Sequence, residues 1–447
     1  MRKQLLLLLT ILFSLSVTQL RAEGNWSDDV SAITPERDDL VYRIETPRQL
    51  AWVAQKVNDG TLKYKVFILM DDIDLAGKEW TPIGNGSNAF TGCFRGNNHT
   101  ISNLTVTGLE RNAVGGLFGV LEGTVSDLKL TGAEISSNQL KVSVGVLASR
   151  TQSQATIENC DVEGSISATG GSSYSSIGGL VGYSSYATIL SSKANVSCTI
   201  VDYNTTNPDS NFGIAVGGLV GNAYDITVRN CFSSGSIQVG GSWTNSMTTV
   251  YAGGLVGCFD TGTTACQIEN SASTSAINLQ GIQTKASAEI SIGGLLGHKS
   301  SSTTGLAISN SYYKGTLSSL SPSETTKSNY QGVLVGMSAS AVTLDNCFYA
   351  ENSNLNVFGN VTGTVTGATV IPTDLTAKLN GWVKQKNMDE EYLSWDENGS
   401  FIPRKEAEED VDYTCQDNVC TISTKKGLAW FVERVNRMYE TFAGKTV

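Results

Sequence analysis

Histidine is nearly missing from this chain: His99 and His298 are the two among 447 residues. Chemistry that needs several imidazoles, such as His-rich metal sites or histidine-based acid–base catalysis, therefore has almost nothing to work with. Proline is scarce too, at 7 residues, and charged residues make up only 16%. Few prolines and 40% hydrophobic residues exclude a disordered chain, because enough apolar surface can be buried to offset chain entropy. The shortage of charged residues excludes a coiled coil or a helical bundle. Basic residues are outnumbered, giving a net charge of -11, which disfavours nucleic acid and anionic membrane as partners. What the chain does have is 46 glycines, without the three-residue period of collagen, and 95 serines and threonines. That mixture describes a Gly/Ser/Thr-rich β protein.

The first 22 residues read as a secretory signal peptide: Arg2 and Lys3, an apolar stretch from Leu5 to Val17, and a short polar tail ending at Ala22. The apolar run is too short for a comfortable membrane span, and no later stretch is apolar enough for one. An exported chain is expected, extracellular or at the cell surface.

Internal repetition dominates the rest. Gly-Gly-Leu-Val-Gly or a close relative occurs around Leu117, Leu147, Leu180, Leu219, Leu255, Leu295 and Leu334, at spacings of 30, 33, 39, 36, 40 and 39 residues. About ten residues later comes a second pattern of the type Thr-Val-Arg-Asn-Cys-Phe, as at Thr227 to Phe232. Each unit alternates short strands with Gly/Ser/Asn turns and has no helical period. One unit cannot bury its own apolar face, so it must stack on its neighbours. The variable loop lengths and single-residue columns point to an all-β repeat protein. A right-handed parallel β-helix of about eight rungs is expected, with a β-propeller as the alternative.

In a β-helix, like residues stack on like at about 4.8 Å. The column Asn103, Asp127, Asn159, Ser191, Asn230, Asn270, Asn310 and Asn346 then reads as an amide ladder at a turn. The paired glycines supply either positive φ or a close approach of two backbones. A phosphate-cradling loop is excluded, since no Lys-Ser/Thr follows and no helix opens. No cofactor is called for.

Repeats of Gly-Gly-Leu-Val-Gly followed by an Asn-Cys or Asn-Ser turn resemble the GLUG motif family. The resemblance covers roughly residues 113 to 350, and the copy at Gly145 departs most from the pattern. The family occurs in bacterial surface and secreted proteins, including haemagglutinin-like adhesins and the non-catalytic part of some immunoglobulin A peptidases. The resemblance implies a β-helical, adhesin-like surface protein and carries no catalytic residues.

The flanks divide further. After a linker at 23–39, residues 40–75 read as a helix-plus-strand capping module, with Thr46 as N-cap, Pro47 at the first helical position and Gly60 as the stop. The β-helix is expected over 76–371, a closing segment over 372–403 and a charged linker over 404–412. Val419 to Asn436 then repeats Val41 to Asn58 without gaps, so 413–447 is expected to open a second capping module, truncated at Val447.

Chemistry is sparse. Asp71, Asp72 and Asp74 lack calcium-loop spacing and fit turn capping better. No Cys-x-x-Cys pair indicates zinc, so no metal site is expected. Cys160, Cys231 and Cys347 share a column but never in successive rungs, which puts them beyond disulfide reach, as small core side chains. Cys258 with Cys266, and Cys415 with Cys420, could each close a short loop. Arg229 and Glu269 are neighbours in the column before the ladder and are expected to pair on the surface. Insertions ahead of the corner glycines, at Gly170 to Ser176, Tyr203 to Phe212, Gly240 to Tyr251 and Ser318 to Tyr330, should emerge along one edge. Tyr203, Trp243 and Tyr330 there are the candidate binding residues. The expected function is a secreted, non-catalytic binding or adhesion scaffold, with an extracellular glycan or protein as ligand. A polysaccharide lyase or hydrolase on the same fold is the rival, and a passive spacer the third reading.

Overall fold

The computed structural model describes Trp26 and residues 35–422 apart from short stretches. Those stretches are 39–40, 110–112, 139–142, 170–173, 202–211, 241–246, 261, 263–265, 281–288, 301–304, 319–327, 352–354, 362–366, 387–390, 403–412 and 417–418. The expected signal peptide and the repeated helix after Ile422 lie outside the described residues.

Strands of successive repeats pair in parallel and in register. One column runs Val41, Val66, Cys93, Thr124, Thr156, Thr188, Thr227, Gln267, Ala307 and Thr343. A second runs through the corner glycines Gly145, Gly178, Gly217, Gly253, Gly293 and Gly332. This is a parallel β-helix. A propeller would need antiparallel blades. The antiparallel strand pairs among the described residues, Glu36–Asp38 with Val41–Ile44 and Tyr413–Gln416 with Val419–Ile422, are not part of the repeating stack. The rung count departs from the expected eight, because the first column already runs through Val41, Val66 and Cys93, ahead of the glycine signature.

The period-two alternation explains the core. In Thr156–Thr169, Ile157, Cys160, Val162, Ile166 and Ala168 point inward and are buried, with polar residues between them. One apolar cluster runs from Tyr42 to Cys347. Each fully buried Ile, Leu or Val contributes about 1.5–3 kcal/mol, so every rung depends on the rungs above and below it.

The turn column explains why asparagine recurs. Asn103, Asp127, Asn159, Ser191, Asn230, Asn270, Asn310 and Asn346 all have φ between 47 and 57°. Asn and Asp tolerate this left-handed region best among residues with a Cβ. Their side chains also connect rungs: Asn346 Nδ2 donates to Asn310 Oδ1 at 2.6 Å, Asn310 to Asn270 at 2.6 Å, and Asn270 to Asn230 at 2.8 Å. Asn159 donates to Asp127 and Asn103 to Asp74, each at 2.8 Å. Next to the ladder, Cys160, Cys231 and Cys347 are buried free thiols that contact the carbonyls two residues back. Burial pushes Cys231 and Cys347 up to about 12, so these thiols stay protonated and inert.

Two covers flank the stack. The helix Pro47–Asn58 starts in a capping box, with Thr46 accepting from Gln49 N and the Gln49 side chain returning to the Thr46 backbone. Its buried face, Leu50, Val53, Ala54 and Val57, joins the apolar cluster at the first rungs. Asp72 Oδ1 accepts from Thr100 N at 2.8 Å and Asp74 Oδ1 from Ala76 N at 2.7 Å, so both carboxylates cap turns. Among the described residues no group of acids, Cys or His could hold a metal.

The second cover is the helix Leu375–Lys386 with the segment 391–402 behind it. This cover reads the ladder directly. Asn230, Asn270, Asn310 and Asn346 donate to the carbonyls of Glu391, Leu393, Leu379 and Lys378. Trp395 Nε1 donates to Asn270 Oδ1 at 2.7 Å. Arg229 pairs with Glu269 at 2.8 Å and with Glu391 at 3.0 Å, with Tyr392 against the guanidinium. The Arg229–Glu269 pair is therefore not on the open surface: its side chains are 20% and 16% exposed, because the closing segment lies over them.

Candidate binding face

The Gly-Gly-Leu-Val-Gly corner is a tight bend between two strands. A Cβ on Gly217 would fall on the carbonyl oxygen of Val220 across the bend, and one on Gly218 would fall on that of Gly254 in the next rung. Close approach, rather than positive φ, is what these glycines provide; Gly116, at φ 150°, is the exception. The bend fixes the residue three places after each corner leucine. Arg150, Tyr183, Asn222, Cys258, His298 and Met337 fall into one column, paired in register.

Aromatic residues collect around this column. Tyr186, just beyond the bend, is 46% exposed and is held at φ 52°, a conformation bulky residues rarely adopt. Its ring meets Tyr224 of the next rung edge-on at 5.2 Å. The Tyr224 hydroxyl is raised to about 12, first by its hydrogen bond to Tyr186. Tyr183 is half-buried between the charges of Arg150 and Asp260. Tyr174, 39% exposed, lies over Gly213, where a Cβ would strike its ring. Further along, Tyr251 stacks on His298, with ring centroids 4.0 Å apart and planes 11° from parallel.

Cys258, His298 and Glu289 have the composition of a thiol-based catalytic triad, but their chemistry is wrong for one. His298 Nδ1 lies 3.2 Å from Glu289 Oε1, off the hydrogen-bonding angle. Burial lowers His298 to about 4, so the imidazole is neutral at physiological pH. Burial also raises the Cys258 thiol, which hydrogen-bonds Ser300 and Tyr174. A desolvated, protonated thiol is a poor nucleophile. Cys258 and Cys266 are both free thiols, so no disulfide joins them. Cys415 and Cys420 face each other across the Tyr413–Ile422 strand pair.

The roots of the insertions line this face. Strands end at Val201, Gly240 and Gln280, in register, and resume at Phe212, Met247, Glu289 and Ser328, with Phe212 paired to Met247 and Glu289 paired to Thr249 and Ser328. Tyr203 and Trp243 lie outside the described residues. Tyr330 stands in the strand Ser328–Ser338, half-buried and paired with Ser291. Nothing in the repeat pattern marked these tyrosines: Tyr183 alone stands in the corner column, and Tyr174, Tyr186 and Tyr224 lie at other offsets from the corner leucines. A separate cavity of about 320 Å³ lies under the capping helix between Trp26, Trp80, Ala51 and Ala54, and is mostly apolar.

Residues 212–238, which hold one such corner and the ladder turn after it, match the family model described as the GLUG motif. The chain carries the GLUG motif. A protein of Evansella cellulosilytica named "Putative Gly-rich membrane protein" is 35% identical over 130 residues, covering 27% of this chain and 14% of that protein. The chain thus spans about a seventh of that relative's length. A Bacteroides ovatus crystal structure described as a "putative immunoglobulin A1 protease" superposes with TM-score 0.46 and 20% identity, over 87% of this chain and 99% of that one. No helix among the described residues is long and apolar enough to cross a membrane.

Proposed function

We propose that this GLUG-motif protein is an exported, surface-associated and non-catalytic binding or adhesion scaffold. The observation that carries the reading is the cluster of tyrosines on two neighbouring rungs beside insertion roots that recur along one edge of a rigid stack. Such an edge offers many weak contacts at fixed spacing, which gains avidity without a deep pocket. Residues 1–22 act as the export signal and the capping helix shields the open end of the stack. Tyr203, Trp243 and Tyr330 add contacts to an extracellular glycan or protein ligand. The non-catalytic part of the reading rests on how the charges are used. Glycoside chemistry needs carboxylates converging on one bond, whereas Glu269 and Glu391 are engaged by Arg229 under the closing segment.

The test uses the chain from residue 23 onward, adsorbed to beads and offered to mucin-coated, matrix-coated and bacterial-cell surfaces. The same preparation is incubated with a set of polysaccharides. Adhesion without release of reducing ends or unsaturated products is expected. Turnover of a polysaccharide would overturn the non-catalytic reading, and adhesion to none of the surfaces would overturn the scaffold reading.

A further inference from the structure

We infer that the corner tyrosine strip is a saccharide site, built for a neutral polysaccharide chain lying parallel to the β-helix axis; this rests on the scaffold reading and names the ligand class of that edge. The strip is Tyr174, Tyr183, Tyr186 and Tyr224, with Arg150 one rung before and Asp260 one rung after. Three features of it select a sugar.

The first is the kind of surface. Tyr174 and Tyr186 are among the few large exposed apolar side chains of the described residues, at 39% and 46%, nine residues before and three residues after Tyr183; the Tyr174 hydroxyl is turned in to Cys258, so Tyr174 offers its ring alone. A tyrosine ring carries a negative π face that attracts the polarised C–H edge of a pyranose, and its hydroxyl bonds to the sugar's own hydroxyls. The second is the backbone at Tyr186. Its left-handed φ of 52° is costly for a bulky residue, yet the ring stays exposed, braced by Tyr224 rather than folded into the core. The next rung fills the same turn position with Asp225, at φ 50°, a residue that holds that conformation at less cost than a tyrosine.

The third is spacing and charge. From Arg150 to Asp260 the strip crosses three rung intervals, about 14 Å at about 4.8 Å each. One rung is close to the length of one pyranose residue, so two neighbouring sugar rings fall on the two rungs that carry the tyrosines, with Arg150 and Asp260 beyond either end. Arg150 and Asp260 offset each other at the two ends of the strip, and the chain's net charge of -11 argues against an anionic polysaccharide. A protein ligand would be expected to bring a larger exposed apolar centre than these isolated rings provide.

The test is affinity electrophoresis of the chain from residue 23 onward in gels holding laminarin, xyloglucan, galactomannan, yeast mannan or, as the anionic contrast, polygalacturonate. Retardation by at least one neutral polysaccharide is expected. Tyr186→Ala and Tyr183→Ala should each weaken it at least tenfold, and Tyr186→Trp should preserve it. Tyr64→Ala, which alters a 75% exposed tyrosine away from the strip, should leave it unchanged. Melting temperatures of all four variants are read alongside, so that a folding defect is not taken for lost binding. No retardation by any neutral polymer, retention by polygalacturonate alone, or equal retardation of the Tyr186→Ala and Tyr183→Ala variants would overturn the inference. Adhesion that survives periodate oxidation of the target surface but not its proteolysis would also overturn it, while leaving the scaffold reading intact. Adhesion to nothing at all would defeat both.

Discussion

Asn270 shows how much one side chain can hold together. It is buried, sits at φ 47°, donates to Asn230 and to Leu393 O, and accepts from Asn310 and Trp395. Truncation to alanine would strand those donors in a low-dielectric site and leave a strained backbone without its reason. Asn270→Ala should cost about 3–5 kcal/mol in urea unfolding. Asn103→Ala, which removes a bond made at the surface, should cost about 1 kcal/mol. Equal losses at the two positions would contradict the role assigned to the buried half of the ladder.

His298 gives a residue-scale pH dependence. In the unfolded chain its imidazole takes up a proton near 6.5, but under Tyr251 it does so only near 4. The unfolded state therefore binds more protons between those values, and stability falls as pH drops from about 6.5 to about 4, by at most about 3 kcal/mol. Above 6.5 both states are neutral and the contribution is flat. Burial sets this depression first, and the neighbouring Lys299 charge adds to it. His298→Gln should flatten that part of the stability curve, as followed by denaturant midpoints from pH 4 to 8. A slope unchanged by the substitution would remove His298 from the account.

At the scale of elements, the closing segment matters more than its irregular sequence implies. Trp395 is buried, with its ring 4.0 Å from Phe401 and 5.4 Å from Tyr312, and its indole nitrogen engaged by the ladder. Trp395→Ala should cost about 3–5 kcal/mol, concentrated in this cover. Limited proteolysis should then cut within 375–402 while the rungs around Asn159 stay protected. Uniform digestion of the whole stack would mean that the cover and the rungs unfold as one unit. The capping helix, by contrast, was readable from its letters: Thr46, Pro47 and Gly60 set its ends and the apolar spacing of Leu50, Val53, Ala54 and Val57 its buried face, while the return bond from Gln49 appeared only in the structure. Nothing local in 391–402 announces its docking, because its partners Asn230 and Asn270 lie more than a hundred residues earlier.

At the scale of the molecule, periodicity carried the information. A stack repeats its constraints, so the glycine corners, the Asn turns and the inward aliphatic positions could be aligned in the sequence before any coordinates existed. What repetition does not mark stayed hidden. Val41 and Val66 lack the corner glycines, so the first rungs were undercounted. The tyrosine strip and the Tyr251–His298 stack come from residues that differ in every repeat and sit at different distances from the corner leucines; only Tyr183 and His298 share a column.

The amide ladder also has a direction. In every bond along it, the later residue gives its hydrogen to the earlier one: Asn346 to Asn310, Asn310 to Asn270, Asn270 to Asn230, Asn159 to Asp127, Asn103 to Asp74. The stack is a column of dipoles, all with their hydrogens toward the amino terminus. A carboxylate, which only accepts, can stand at the head of such a run and nowhere inside it. Asp74 and Asp127 hold that place. At these two heads the acid terminates its run as an anion terminates a row of aligned dipoles; the long run ends instead on Asn230, whose own hydrogens pass on to Glu391 O in the closing segment.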